Sequence, residues 1–363
     1  MNVPKSLPSV GPPARRAVLV AASVAVTALL AACGSTSTAA TPKGPAKELR
    51  LGYFANVTHA PALVGVSKGF FAKELGTTTF STQVFNAGPA AIEALNAGAI
   101  DAAYLGPNPA INGFVRSKGE SLRIVAGATS GGAQLVVRPG ITSAAQLKGA
   151  NLATPQLGGT QDVALRAWLA GQGLKTTPSG GGDVRITPTE NSQTLQLFQQ
   201  GRIDGAWLPE PWASRLVLDA GARVLVDEKS LWPKGRFVTT HLIVAKRYLD
   251  EHPETVAALL RGHVDSVSWI KANPAAAPAV VNAEVARTAG KPLSDAVITR
   301  AFSNITVTVD PLASSLQKDL ADGVAAGVVK KADLKGIYDL RLLNTVLRAK
   351  GEPTVSSSGL GEQ

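Results

Sequence analysis

Short apolar runs alternate with amphipathic segments along most of this chain. Leu49–Phe54 reads as a strand and Ala60–Leu75 as a helix. Phe80–Phe85 follows as a strand, Ala90–Ala97 as a helix, and Ile100–Leu105 and Arg123–Ala128 as strands. After Gln134–Val137 the pattern restarts: strand Asn151–Thr154, helix Thr160–Ala170, strand Val184–Thr187, helix Thr194–Gln200, strand Asp204–Leu208. The period switches between two and about 3.6, as strands and helices require. Strands alternating with helices predict an α/β chain with mostly parallel sheets, covered on both faces.

An internal repeat divides the pattern in two. Gly98-Ala-Ile-Asp-Ala-Ala-Tyr-Leu105 matches Gly201-Arg-Ile-Asp-Gly-Ala-Trp-Leu208. Each copy follows a predicted helix, and each runs into a Pro-containing loop, Gly106-Pro-Asn-Pro109 or Pro209-Glu-Pro211. The glycine suits a helix C-cap, and the apolar run after it a buried strand. One helix–turn–strand unit therefore occurs once per half, and two doubly wound lobes are expected. Ligands bind such sheets beyond the carboxyl ends of the strands. Here those ends carry residues 55–61 and 106–109 in the first half, and 155–161 and 209–212 in the second. If the lobes face each other, these four loops line one cleft.

The ends change the picture. Lys5, Arg15 and Arg16 precede the uncharged run Ala17–Leu30, long enough for a signal-peptide core and short for a membrane span. The run closes in Leu30-Ala-Ala-Cys33, which resembles the bacterial lipobox, so Cys33 is the expected lipidation site and residues 1–32 the signal peptide. A small, polar, Pro-containing stretch at 33–46 reads as a flexible tether. The expected folded part suits two domains: 47–135 with 246–350 as one lobe, and 136–245 as the other. Gln134–Arg138 and His241–Lys246 are the candidate crossings, and the Ser-rich 351–363 the expected disordered tail. The formal charge is +10, of which the first 32 residues hold three positives, leaving +7 on the remainder. The basic residues are scattered rather than striped with aromatics, which argues against nucleic acid. A mild positive field instead suits anionic solutes or an anionic lipid surface. Cys33 is the only cysteine, so packing without an internal disulfide must hold the lobes.

Leu51-Gly-Tyr-Phe54, His59-Ala-Pro61, Phe85-Asn-Ala-Gly-Pro89, Gly98-Ala-Ile-Asp101, Gly158-Gly-Thr160, Gln200-Gly-Arg-Ile-Asp-Gly205 and Glu210-Pro211 follow one another along the chain. In this order and spacing they resemble the solute-binding proteins of the nitrate, taurine and aliphatic-sulfonate importers. The resemblance spans about residues 48–345. It implies a periplasmic-binding-protein fold of type II, two α/β lobes joined by two crossing strands with a ligand cleft between them. It also implies permease and ATPase subunits of an ABC importer as partners, and a place outside the cytoplasmic membrane. A monomer without cofactor or metal is expected. A ligand sensor acting on a membrane signalling protein would share the same fold and cleft.

The cleft loops hold the candidate ligand-binding residues. Gly158-Gly159-Thr160-Gln161 opens a helix directly after a strand, where backbone N–H groups and the helix terminus favour negative charge. The resemblance implies that Gly159, Thr160 and Gln161 hold an oxyanion; the plain alternative is a strand-to-helix turn capped by Thr160. Gly106 and Asn108 occupy the matching strand end, with Asn108 either a donor or part of a Pro-bracketed turn. His59 is a ligand contact or a cap. Trp207 and Trp212 either wall the organic part of a ligand or, for Trp207 especially, belong to the core. Glu210 repels an anion but suits the ammonium of a zwitterion such as taurine; alternatively it serves the helix after Pro211. No Arg or Lys falls in the four loops. A fully charged phosphate usually recruits one, whereas a singly charged sulfonate can be held by neutral donors.

Enzyme signatures fail on position. Gly65-Val-Ser-Lys-Gly69 has nucleophile-elbow spacing, but Ser67 falls inside a predicted helix well past the strand. The four histidines, 59, 241, 252 and 263, show no metal-ligand spacing. Pyrimidine synthases of thiamine biosynthesis resemble this fold but carry a cysteine cluster that this chain lacks.

Overall fold

The computed structural model describes residues 41–363; the expected signal peptide, Cys33 and the tether up to residue 40 lie outside them. The described strands are β1 (Glu48–Tyr53), β2 (Thr79–Val84), β3 (Ala102–Leu105), β4 (Leu122–Gly131), β5 (Ala133–Val137), β6 (Asn151–Thr154), β7 (Arg185–Pro188), β8 (Gly205–Pro209), β9 (Arg223–Asp227), β10 (Val238–Ala245), β11 (Ile305–Val307), β12 (Tyr338–Asp339) and β13 (Gly361–Glu362). They form an eight-stranded sheet, ordered β13-β12-β4-β10-β3-β1-β2 with β11 also paired to β4, and a five-stranded sheet, ordered β7-β6-β8-β5-β9.

The two sheets share one plan. β1 runs parallel to β2 and β3, and β6 runs parallel to β7 and β8. An antiparallel strand from the far side of the crossing, β10 or β5, completes each unit. The sequence repeat has a physical cause in this plan. Asp101 accepts the backbone N–H of Arg50 at 2.8 Å, and Asp204 accepts that of Asn151 at 2.8 Å. Pairing then begins one residue on in each copy, at Leu51 with Ala102 and at Leu152 with Gly205. The carboxylate thus satisfies a donor left over where two parallel strands start. The repeat glycines, Gly98 and Gly201, have φ of 70° and 77°, the left-handed conformation that closes the helix before each copy.

The crossings lie a few residues from the expected segments. Gln134–Arg138 already belongs to the second sheet, because the chain passes over at Gly131–Gly132 between β4 and β5. His241 to Ala245 lies within β10 of the first sheet, so the return occupies the segment between β9 and β10. Residues 133–135 therefore sit with the second lobe and 238–245 with the first. The first change of sheet falls at the Gly131–Gly132 pair and the second in the charge-rich stretch 228–236, each just before the strand expected to cross. The expected helix Ala60–Leu75 is two helices, Ala60–Ser67 and Phe70–Leu75.

The tail expected to be disordered folds back instead. β13 pairs in parallel with β12, Leu360 and Ser357 are buried, and Asn344 holds Val355 through both its amide groups. The last residues of the tether are also held, with the Ala46 N–H donating to the Thr255 hydroxyl at 2.8 Å. Composition described these segments correctly as polar, but their backbone groups find fixed partners.

In the second lobe, alternate strand residues feed opposite faces, as the pleat requires. Leu135, Leu152 and Trp207 join Leu165 and Leu169 on one face. Val136, Ala153, Ala206 and Leu208 join Leu195, Phe198 and Leu216 on the other. Each face is covered by helices, which leaves the strand ends and helix starts as the surface turned to the other lobe.

Candidate functional site

The four loops meet at a small cavity between the lobes. Its wall takes Asn56, Thr58 and His59 from the loop after β1, and Gly106 and Pro109 from that after β3. The second lobe contributes Pro155, Gln156, Gly159, Thr160 and Gln161 after β6, Asn191 after β7, and Pro209 at the end of β8. Phe54, Asn86, Ala87, Gly88, Thr239 and Thr240 complete it. The free volume is about 30 Å³, room for about two water-sized groups.

Five helices begin at this wall. His59 precedes the helix Ala60–Ser67, and Gly88 opens Gly88–Asn96. Gly106 precedes Pro107–Arg116, Gly159 precedes Thr160–Gly171, and Asn191 opens Asn191–Gln199. Each helix start carries the positive end of its dipole, although Pro61, Pro89, Pro107 and Pro109 supply no N–H there. No Lys, Arg, Asp or Glu belongs to the wall. The positive character of the cavity is therefore supplied by backbone dipoles and neutral groups.

Four wall side chains have a buried polar atom with no partner in the protein: His59 Nε2, Thr160 Oγ1, Asn191 Oδ1 and Thr240 Oγ1. An unmet buried polar group costs about 1–3 kcal/mol, so four around one small space mark a place for a polar ligand. His59 stacks on Phe54 with ring centroids 4.4 Å apart, and its Nδ1 lies 3.2 Å from the Thr58 hydroxyl. Burial holds its pKa down at about 3, with the Tyr104 backbone opposing weakly. The ring is neutral, so one nitrogen donates and the other accepts, and the Thr58 hydroxyl can meet Nδ1 in either role. Thr160 and Thr240 add hydroxyl donors, and the Asn191 amide presents either its oxygen or, turned over, its NH2.

Gly106 sets how closely the lobes approach here. A Cβ at this residue would lie 2.1 Å from Thr160 Oγ1 across the cleft. Only glycine leaves that contact open. Gly159, Thr160 and Gln161 are buried at the cavity wall, and Trp212 stands further out, its indole N–H donating to Asn56 Oδ1 at 2.9 Å.

Three sequence candidates lie elsewhere. Asn108 turns away from the cleft and donates to the Asp319 carbonyl at 3.0 Å. Trp207 is fully buried, packs near Trp168, and donates to Glu228 at 2.8 Å. It sits one pleat before the strand end, so it points into the core. Glu210 is fully buried and faces Arg300 at 3.1 Å and Asn304 at 2.6 Å, with the Ser214 N–H on its other oxygen at 3.0 Å. Arg300 also reaches Ser214 Oγ and Gln134 Oε1. Burial raises the Glu210 pKa, while hydrogen bonds and Arg300 oppose the shift. Both Glu210 oxygens are thus committed within the protein, and the residue has no place on the cavity wall.

Sequence reasoning passed over Asn56, Asn86, Asn191, Thr239 and Thr240. Asn191 had a readable signal, since it opens a helix directly after a strand, like Thr160. Thr239 and Thr240 had none, because β-branched residues within a strand look like ordinary strand formers.

The paired sheets, their crossings and the cleft at the strand ends define a periplasmic-binding-protein fold. Solved structures share it. The alkanesulfonate-binding protein from Xanthomonas axonopodis pv. citri, solved with MOPS, has a TM-score of 0.66 at 22% identity, over 81% of this chain and 96% of that one. The nitrate-binding protein from Synechocystis PCC 6803 has a TM-score of 0.69 at 18% identity, over 85% and 90%. Residues 42–285 match the NMT1-like family, and the chain belongs to that family. Among curated relatives, the taurine-binding periplasmic protein of Escherichia coli strain K12 is 28% identical over 59% of this chain. The match spans 64% of that relative's own length, a little under two thirds.

Proposed function

We propose that this chain is the extracytoplasmic, lipid-anchored solute-binding component of an ABC importer, capturing a small organic anion of the sulfonate class and delivering it to the permease. The observation that carries this reading is the convergence of five helix N-termini and four unpartnered polar atoms on one cavity without a cation. Neutral donors and helix dipoles suit a weakly hydrated monoanion such as a sulfonate, and fall short for a doubly charged phosphate. The lipobox-like Leu30-Ala-Ala-Cys33 supports anchoring, and the taurine-binding relative supports the substrate class. The small inner volume also suits a bare oxyanion such as nitrate or bicarbonate, the second reading. A thermal-shift series with methanesulfonate, nitrate, bicarbonate and inorganic phosphate tests the choice. A ligand that binds only the folded state raises the melting temperature by mass action. Methanesulfonate is expected to raise it and phosphate to leave it unchanged. A shift with nitrate or bicarbonate alone favours the second reading, and no shift with any anion rejects both.

A further inference from the structure

The loop that opens the helix Thr160–Gly171 is held from behind by two buried charges. Gly158, at φ 73°, donates its N–H to Asp162 Oδ2 at 3.0 Å, and the Gly159 N–H goes to the Gln156 carbonyl at 3.0 Å. Val163 is the first residue whose N–H bonds back along the helix, to the Gly159 carbonyl at 3.1 Å. The helix therefore leaves over the N–H groups of Thr160, Gln161 and Asp162, and of these residues Thr160 and Gln161 belong to the cavity wall.

Asp162 ties three segments together. Its Oδ1 accepts from the Thr154 hydroxyl at the end of β6 at 3.0 Å. Its Oδ2 accepts from Gly158 in the loop and, at 2.9 Å, from Arg166 Nε one turn along the helix. Arg166 in turn donates to the Thr177 carbonyl beyond the helix. The Asp162 and Arg166 side chains are 0% and 1% exposed, and neither residue is on the cavity wall. Among the described residues Asp162 is the one carboxylate within ion-pair distance of Arg166, and Arg166 Nη2 is buried without a partner in the protein.

An acid in the first turn of a helix stabilises that helix but offsets the positive end of its dipole. This helix start faces a cavity whose wall has no cation. A carboxylate left unbalanced there would oppose any bound anion, and burial would leave the repulsion poorly screened. Resting on the anion reading above, we propose that Asp162 and Arg166 are positioning residues of the anion site. Asp162 fixes the Gly158 turn that presents Thr160 and Gln161, and Arg166 cancels the charge that Asp162 would otherwise set against the ligand. A pair kept for stability alone would lose affinity equally whichever partner was neutralised, whereas these roles predict opposite signs.

Calorimetry with methanesulfonate, nitrate and bicarbonate on the full-length chain in detergent tests this. Arg166→Gln, which keeps an amide donor but leaves Asp162 charged, should weaken binding at least about tenfold. Arg166→Lys, which keeps the charge, should restore binding to within about threefold of the native chain. Asp162→Asn, which keeps an acceptor for Gly158, should hold or tighten binding. Asp162→Ala, which removes that acceptor, should bind at least about tenfold more weakly than Asp162→Asn. Equal losses in Arg166→Gln and Asp162→Asn would overturn the charge role, and equal affinity of Asp162→Asn and Asp162→Ala the turn-fixing role. If Arg166→Gln does not fold, Asp162→Asn still decides, since a loss of about tenfold there contradicts charge cancellation. A native chain that binds none of the three anions rejects the anion reading itself; a native chain that binds, with every variant unchanged, rejects only the role of the pair.

Discussion

Arg300→Met isolates the contact that replaced Glu210 as a ligand group. In the native fold the Glu210 side chain is fully buried, while that of Arg300 is 22% exposed. Removing the guanidinium leaves a buried carboxylate with Asn304 and the Ser214 N–H as its remaining partners, and strips donors from Gln134 and Ser214. Breaking one side of a buried ion pair costs about 3–5 kcal/mol. The partial exposure of Arg300 places the loss near the lower end, about 3 kcal/mol. An unfolding entropy of roughly 2.1 cal/mol/K per residue over a folded region of this size converts that to a melting-point drop of about 4–5 °C. The loss has a definite pH dependence. The Glu210 pKa is already raised by burial, and without Arg300 it rises further. A carboxyl whose folded pKa exceeds its unfolded value takes up a proton on folding, so stability falls as pH rises through that window. The deficit of Arg300→Met should be larger at about pH 8 than at about pH 5, and adding Glu210→Gln should recover most of it. Thermal denaturation of the three variants at both pH values reads this directly. A change under about 1 °C in Arg300→Met, or no recovery in the double variant, would refute a buried structural pair.

Three further outcomes are expected. Gly106→Ala should weaken anion binding at least about tenfold with a smaller effect on the fold, since its methyl displaces Thr160 Oγ1 from a 2.1 Å approach; unchanged affinity by calorimetry would place the anion elsewhere. His59 has its folded pKa depressed to about 3, so it stays neutral near physiological pH. Its contribution to stability is present above the unfolded value and lost as the pH falls toward the folded one. Anion affinity should accordingly be flat between about pH 5.5 and 8, and a tenfold rise toward the acid end would show a charged His59. Cys33→Ala should abolish lipid labelling and release the protein from the membrane fraction; a variant that stays processed and membrane-bound would defeat the lipid-anchor reading.

The residues that sequence reasoning located best are those whose role is local. Helix starts after strands, such as Thr160 and Gly106, carry their chemistry in the backbone, and Gly-rich turns at strand ends advertise it. The Asp of each repeat copy was visible as a pattern, although its use, satisfying the first N–H of the neighbouring strand, required the register. Where polar segments met partners distant in sequence, composition misled. The tail around Ser357 looks frayed but is pinned by Asn344 and β12.

The sequence alone determined the two α/β halves, their repeat, the four loops at the strand ends and the absence of a cation in them, because periodicity, capping and turn chemistry act over a few residues. Tertiary structure alone decided which polar side chains share the cavity. Glu210 and Trp207 lie within four residues of one another on or beside one strand, yet Arg300 claims one and the sheet core the other. Thr240 reaches this wall from β10 and Asn191 from the start of the helix after β7. Such outcomes depend on strand register and on partners supplied by remote segments, and a pattern of local hydrophobicity contains neither.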